Sequence, residues 1–215
     1  MSLDLPTTRT AHEKNLARIC ALMALSISPA ASIEVRGHHQ SLASVGPVVL
    51  AANHRSMADF AVGLTVMGRL GVLPGILMAR RFLPGPLGWL ADQAGIIPVG
   101  RGGAVAAGVT ALKSGRSLVV MPEGRLHWNP TDPTRLGRIR PGMTRMARLA
   151  GRPIVPVAVD GTERVWPKDS VPRVNPMRRK KVVVTIGEPI PTTDEDDQAQ
   201  AERVMNWVRR TLIPR

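Results

Sequence analysis

The chain has 215 residues, 44% of them hydrophobic, so it is long enough to bury one substantial core and too apolar for an intrinsically disordered protein. Its formal net charge of +13 indicates an anionic partner, for which a membrane surface, a nucleic acid and phosphate-bearing small molecules are the candidates. Aromatic side chains make up only 3% of the chain, which disfavours a nucleic-acid binder that stacks bases, and a single cysteine excludes an internal disulfide or a cysteine-based zinc site.

The first predicted element is a helix over residues 9–28. The apolar residues that recur there at helical spacing are Leu16, Ile19, Cys20, Met23 and Ile27. The uncharged run over residues 19–33 is shorter than the roughly 20 residues that cross a bilayer, and it contains Pro29. Two roles therefore stay open for this helix, packing against the core and docking in the plane of a membrane. We treat residues 1–30 as an N-terminal helical segment and residues 31–215 as the main domain.

Strands and helices alternate through the rest of the chain. The predicted strands cover residues 32–37, 46–53, 95–99, 117–121, 153–159 and 181–187. The predicted helices cover residues 57–70, 88–94, 104–113, 144–150 and 194–212, and residues 126–141 are predicted as a loop. This alternation predicts a single α/β domain with a mostly parallel sheet flanked by helices, whose ligands bind where the strands end.

A histidine and a carboxylate follow the second predicted strand. His54 and Asp59 are five residues apart, a spacing that would separate their side chains by roughly 140° on a continuous helix. The two side chains meet only if His54 lies in the turn and Asp59 in the first turn of the helix. Ser56 supports this placement because a serine can cap the start of a helix. An alternative is a capping box formed by Ser56 and Asp59, which leaves the histidine unexplained.

A glycine-rich turn with one arginine follows the strand over residues 95–99. Gly100-Arg101-Gly102-Gly103 can place backbone N–H groups and a guanidinium around a phosphate at the start of a helix. The same turn also matches part of a dinucleotide-binding fingerprint, with Glu123 ending the next strand. The position of the third glycine of that fingerprint is occupied by Val105, so the nucleotide interpretation rests on two glycines only.

Two further strand ends carry unusual residues. Glu123, Gly124 and Arg125 place a carboxylate and a guanidinium on one turn, which a solvated loop with an internal ion pair would also explain. Pro156 stands between Val155 and Val157 in an apolar strand, which predicts an edge strand, a strand start or a bulge.

In combination, these segments resemble the glycerolipid acyltransferase superfamily, and within it bacterial 1-acylglycerol-3-phosphate acyltransferases. The four segments occur in the family's order as Asn53-His54-x4-Asp59, Gly-Ile-Ile-Pro-Val-Gly-Arg over 95–101, Met-Pro-Glu-Gly-Arg over 121–125 and Pro-Ile-Val-Pro-Val over 153–157. Arg140-Pro141-Gly142 and Asp160-Gly161-Thr162 are also similar to the family. The resemblance covers roughly residues 46–165.

The resemblance implies an O-acyltransferase of phospholipid biosynthesis that moves a fatty acyl group to a lysophospholipid-type acceptor such as 1-acylglycerol-3-phosphate. His54 would be the general base and Asp59 would orient it. The acceptor's phosphate and glycerol would be held by Arg101, Glu123, Gly124 and Arg125. The acyl-donor side would be supported by Val155, Pro156 and Val157. The donor would be acyl-CoA or an acyl carrier protein, used as a co-substrate with no cofactor and no metal.

The sequence departs from the family pattern near the expected acceptor site. Met121 replaces the usual phenylalanine, Arg125 stands where threonine is expected, and Val99-Gly100 replaces an aromatic or acidic stretch. These changes leave the catalytic residues in place but alter the segments expected to contact the acceptor. An acyltransferase acting on a different lipid or polar alcohol is therefore the alternative within the same class.

Together with the resemblance, the positive charge leads us to expect a peripheral protein on the cytoplasmic face of an anionic membrane. A basic cluster at residues 178–181, beside Arg173, and the Arg80-Arg81-Phe82 segment are the candidate contacts. The cluster can equally be a solvated turn before a strand. We expect no nucleic-acid partner, although a non-catalytic basic binder of anionic lipid or nucleic acid remains the alternative from another functional class.

Overall fold

The computed structural model describes residues 11–42, 44–72, 75–80, 95–194 and 196–212. Its strands are β1 (Ala31–Gly37), β2 (Val49–Ala52), β3 (Gly75–Ala79), β4 (Ile96–Val99), β5 (Leu118–Val120), β6 (Ile154–Asp160) and β7 (Lys180–Ile186). Its helices are α1 (Ala11–Ile27), α2 (Ala58–Arg69), α3 (Ala104–Lys113), α4 (Gly142–Ala150), α5 (Thr162–Val165) and α6 (Asp197–Thr211). Two single turns of 3-10 helix cover His39–Ser41 and Pro176–Arg178.

Most predicted elements are present with shifted ends. The apolar segment Gly75–Ala79, which the sequence left unassigned, forms β3. The helix predicted over residues 88–94 lies outside the described residues, as do Arg81 and Phe82 of the possible membrane contact.

The described strands form one mixed sheet in the order β1-β7-β6-β2-β5-β3-β4. Every neighbouring pair is parallel except β6 and β7. The expected fold class is therefore confirmed as a single α/β domain with a mostly parallel sheet flanked by helices. The carboxyl ends of β2 to β6 lie at one edge of the sheet, and β7 starts there because it runs the opposite way.

Helices cover both faces of the sheet, which explains why its central strand β2 is buried throughout. Val48, Leu50 and Ala52 belong to the core beneath α2 and α5. Val49 and Ala51 belong to a second core on the other face, beneath α3, α4 and α6. An unbroken apolar run of strand length is the pattern expected for a strand buried on both sides.

The N-terminal helix α1 packs along α2. Leu16 and Cys20 of α1 are buried with Leu64 of α2. Gly68 permits this close contact, since a Cβ atom there would lie 2.7 Å from the Cβ of Cys20. Core packing thus occupies one side of α1, while Leu25 in its last turn is 70% exposed. Among the helices that the structure describes, none combines the length and hydropathy needed for a bilayer-spanning segment.

Pro156 lies in an interior strand and not at an edge or a strand start. Its carbonyl accepts a hydrogen bond from Gly187 N at 2.9 Å, so its missing N–H also faces the β7 side. On that side, Val157 pairs with Ile186 and Ile154 pairs with Ile190. Between these two pairs, residues 155–156 of β6 face residues 187–189, so the segment opposite the proline has one extra residue. The bulge interrupts the ladder where proline cannot donate, so the third of the predicted alternatives holds.

Candidate active site

The candidate catalytic pair sits where β2 ends. His54 occupies the turn after β2, and Asp59 is the second residue of α2. The Nδ1 atom of His54 lies 2.8 Å from Oδ2 of Asp59. The side chain of Asp59 is only 1% exposed, whereas that of His54 is 23% exposed. A buried carboxylate therefore holds an imidazole whose other nitrogen, Nε2, is available for proton transfer.

The Asp59 carboxylate also organises the turn itself. Its Oδ2 accepts hydrogen bonds from the backbone N–H groups of Arg55 at 2.7 Å and Ser56 at 2.9 Å. The hydroxyl of Ser56 in turn accepts a hydrogen bond from Ala58 N at 3.0 Å. The capping interaction and the His54 pair thus coexist, because Oδ2 of Asp59 binds both Ser56 N and Nδ1 of His54. Two interpretations that the sequence left as alternatives describe one structure.

Glu123 joins the turn after β5 to the backbone of His54. Its Oε1 accepts from His54 N at 2.9 Å, and its Oε2 accepts from Gly137 N at 2.6 Å. Burial raises the pKa of this carboxyl above its ordinary value, although those two N–H groups oppose the shift. The residue expected to hold the acceptor is therefore engaged in positioning the backbone of the candidate base. The carbonyl of His54 is fixed as well, by His127 N at 2.7 Å.

A cationic cavity of about 480 Å³ opens beside Glu123. Its lining residues are Glu123, Arg125, Arg138, Ile139, Arg140, Pro141 and Gln198. Gly124 has a φ of 65°, and a Cβ there would lie 3.2 Å from Cζ of Arg140, so glycine lets that guanidinium stack on the turn. In the described part of the chain no ion pair joins Glu123 to Arg125, which argues against the solvated ion-paired turn.

The remaining predicted site residues lie farther from His54. Arg101 follows β4 at the same edge of the sheet and is exposed. β4 is three strands from β2, which corresponds to about 14 Å between the strands. Val155, Pro156 and Val157 are buried inside β6, so their side chains support the sheet and do not line the cavity. Within the described residues, no cluster of His, Cys, Asp and Glu has the makings of a metal site.

Comparisons with known proteins identify the family of this chain. The model of the family described as Acyltransferase matches residues 32–160, which is more than half of the chain and includes the His54 turn, Glu123 and Asp160. The chain belongs to the Acyltransferase family. No protein of curated function matches the sequence of this acyltransferase.

A solved structure has the same fold. The 1-acyl-sn-glycerophosphate (LPA) acyltransferase PlsC from Thermotoga maritima superposes with a TM-score of 0.64 at 20% sequence identity. The match covers 95% of this chain and 79% of that one. At this identity the likeness establishes the fold of this acyltransferase, and the chemistry must be argued from its own residues.

Two residues of this acyltransferase's site escaped the sequence reasoning. Thr162, in the Asp-Gly-Thr segment noted above, donates from Oγ1 to Oδ1 of Asp59 at 2.5 Å. Arg55 is buried and binds Asp160 at 2.9 Å and the carbonyl of Pro133, with its guanidinium 5.1 Å from the centre of the Trp128 ring. No local signal identifies these contacts, since the polar partners of Arg55 lie 105 and 78 residues away.

Proposed function

We propose that this acyltransferase moves a fatty acyl group from an acyl thioester to the hydroxyl of a lysophospholipid-type acceptor such as 1-acylglycerol-3-phosphate. The acyl donor would be acyl-CoA or an acyl carrier protein, and no cofactor is required. The observation that carries the proposal is the buried Asp59 holding a partly exposed His54 at 2.8 Å, at the edge where an arginine-lined cavity opens.

His54 acts as the general base in this proposal. Its Nδ1 is occupied by Asp59, so the lone pair of Nε2 takes the proton of the acceptor hydroxyl while the hydroxyl oxygen attacks the thioester carbonyl. Asp59 stabilises the imidazolium that forms. The tetrahedral intermediate then collapses by breaking the carbon–sulfur bond, and the departing thiolate receives the proton from the imidazolium. A positioned base of this kind contributes roughly 10² to 10⁴ in rate.

The transfer needs no covalent intermediate on the protein. An alcohol and a thioester react directly once the alcohol is deprotonated, and the sequence lacks the Gly-x-Ser-x-Gly elbow of serine acyl-enzymes. A base with its orienting acid is therefore sufficient protein chemistry.

The arginines near the cavity support a phosphate-bearing substrate. Arg125, Arg138 and Arg140 line it, and guanidinium groups bind phosphate through paired N–H donors. We propose that Arg125 and Gly124 contact the acceptor's phosphate end, with Arg101 contributing from farther along the same edge. Because such an acceptor resides in lipid, the protein would act peripherally at the cytoplasmic face of a membrane. A different lipid or polar alcohol is the alternative acceptor.

The test is product analysis with the purified full chain. The protein is incubated with a panel of lyso-acceptors and acyl thioesters, and the products are identified by mass spectrometry. The His54→Ala variant should lose transfer by about 10² or more, with its melting temperature little changed because that side chain is partly exposed. His38→Ala is the matched control, since His38 is an exposed histidine that pairs with Glu188 at the far edge of the sheet. Near-normal turnover by His54→Ala would refute the mechanism.

A further inference from the structure

We propose that the loop over residues 170–179 is the surface by which this protein docks on an anionic lipid bilayer. The loop connects α5 to β7 and contains three apolar side chains interspersed with arginines. The acidic residue nearest to it in the sequence is Asp169. The argument rests on the exposure, order, charge and position of this loop.

The apolar side chains of the 170–179 loop point into solvent. Val171 is 75% exposed, Val174 60% and Met177 95%. Single exposed apolar residues are common on protein surfaces and need no explanation. These three lie within seven positions of one loop, and such clusters of exposed apolar side chains mark interaction surfaces. Moving a methionine side chain out of water is favourable, and Met177 is the most exposed of the three.

The loop holds this conformation through specific hydrogen bonds. Asn175 Oδ1 accepts from Met177 N at 3.0 Å and from Arg178 N at 3.1 Å, which fixes the turn that carries Met177. At the start of the loop, Trp166 Nε1 donates to the carbonyl of Ser170 at 2.8 Å. Arg173 N donates to the carbonyl of Val165 at 2.7 Å. The apolar side chains are thus presented by a held backbone.

The charge of the loop selects the partner. Arg173, Arg178 and Arg179 are exposed among the apolar residues. Guanidinium groups beside protruding Val and Met side chains match the boundary of an anionic leaflet, where headgroup phosphates lie next to hydrocarbon. A nucleic acid would need no exposed aliphatic side chains, and a free phosphate would need a concave site. An acidic protein is the competing partner, and the experiment below separates it.

The loop lies at the same edge of the sheet as the candidate active site. β7 begins at this edge and is two strands from β2, or about 10 Å. Ser56, in the His54 turn, donates from Oγ to the carbonyl of Trp166 at 2.7 Å. The turn between α1 and β1 lies here too, because Lys180 N donates to the carbonyl of Ala30 at 2.8 Å. Docking through the loop would therefore turn His54 toward the lipid, a use that rests on the proposed function.

Vesicle binding without substrates tests the surface separately from the reaction. The full chain is sedimented with phosphatidylcholine vesicles that contain or lack phosphatidylglycerol. The double variant Val174→Ser/Met177→Ser should bind the anionic vesicles at least about tenfold more weakly. Arg178→Gln should bind them several-fold more weakly and lose part of the salt dependence. Melting temperatures should be unchanged, because the altered side chains are exposed.

Two matched controls make the outcome decisive. Leu149→Ser changes an exposed leucine in the last turn of α4, which leads to the opposite edge of the sheet, and should leave vesicle binding unchanged. Arg210→Gln makes the same charge change outside the loop and should have a smaller effect than Arg178→Gln. Equal binding by wild type and the double variant would overturn the proposal. The proposal would also be overturned if the wild-type protein did not bind anionic vesicles but bound an acidic carrier protein through the residues of the 170–179 loop.

Discussion

Thr162 donates a hydrogen bond to Oδ1 of Asp59 from a position 103 residues further along the chain. The bond links the end of β6 to the carboxylate that holds His54. Thr162 is fully buried, so the contact is shielded from water. Together with the three donors on Oδ2, it leaves both oxygens of Asp59 with partners. The carboxylate is thus fixed in one orientation before any substrate binds.

Replacing Thr162 with Val should therefore lower kcat about tenfold with little change in KM. The variant removes a hydrogen bond to a charged group, a loss of about 1.5–3 kcal/mol of which the transition state feels a part. Thr162→Ser keeps the hydroxyl and should retain most of the activity. Steady-state kinetics on the two variants check the expectation, and wild-type kcat in Thr162→Val would show that the hydroxyl does not support the His54–Asp59 pair.

Arg55 should contribute strongly to stability. Its buried guanidinium bridges Asp160, the carbonyl of Pro133 and the Trp128 ring, and a lysine cannot reproduce this planar set of contacts. We expect Arg55→Lys to lower the free energy of unfolding by about 3 kcal/mol, measured by urea denaturation. The exposed control Arg145→Lys should change it by less than about 0.5 kcal/mol. Similar midpoints for both variants would contradict the assigned role.

Glu123 should make stability fall as the pH rises. Burial raises its pKa in the folded protein above the ordinary value of 4.5, so the folded protein keeps a proton that the unfolded chain has already released. Stability is therefore highest below 4.5 with respect to this group and decreases as the pH rises through the raised pKa. Glu123→Gln cannot ionise and should show a shallower decrease.

Urea denaturation of both proteins between about pH 5 and about pH 7 measures this difference. Glu163, whose pKa burial also raises, keeps its share of the pH dependence in both proteins. The comparison therefore isolates Glu123, and parallel stability curves would show that its carboxyl does not titrate in this range.

Arg125 should affect binding of the acceptor more than Arg101 does. Arg125 lines the cavity beside Glu123, whereas Arg101 lies after a strand three positions from β2. We expect Arg125→Ala to raise the KM of a lysophospholipid acceptor about tenfold, the loss typical of one charged hydrogen bond, and Arg101→Ala to raise it less. A monoacylglycerol acceptor without phosphate serves as the control and should respond to neither change. The reverse order of effects would place the phosphate nearer to β4.

The sequence by itself determined the features that depend on neighbouring residues. Alternating apolar runs and helix caps predicted the α/β class, because side-chain periodicity and capping act over a few residues. The five-residue spacing of His54 and Asp59 allowed their contact on the condition that a turn precedes the helix, and Ser56 supported that placement. The four motifs in order predicted the acyltransferase family.

Only the tertiary structure decided which distant residues complete the site. The partner of Thr162 is 103 residues away, and the backbone group that Oε1 of Glu123 binds is 69 residues away. Such contacts depend on strand order, which local periodicity does not encode. The strand order also set Arg101 apart from His54, and the antiparallel direction of β7 brought the 170–179 loop to the edge that carries the candidate base.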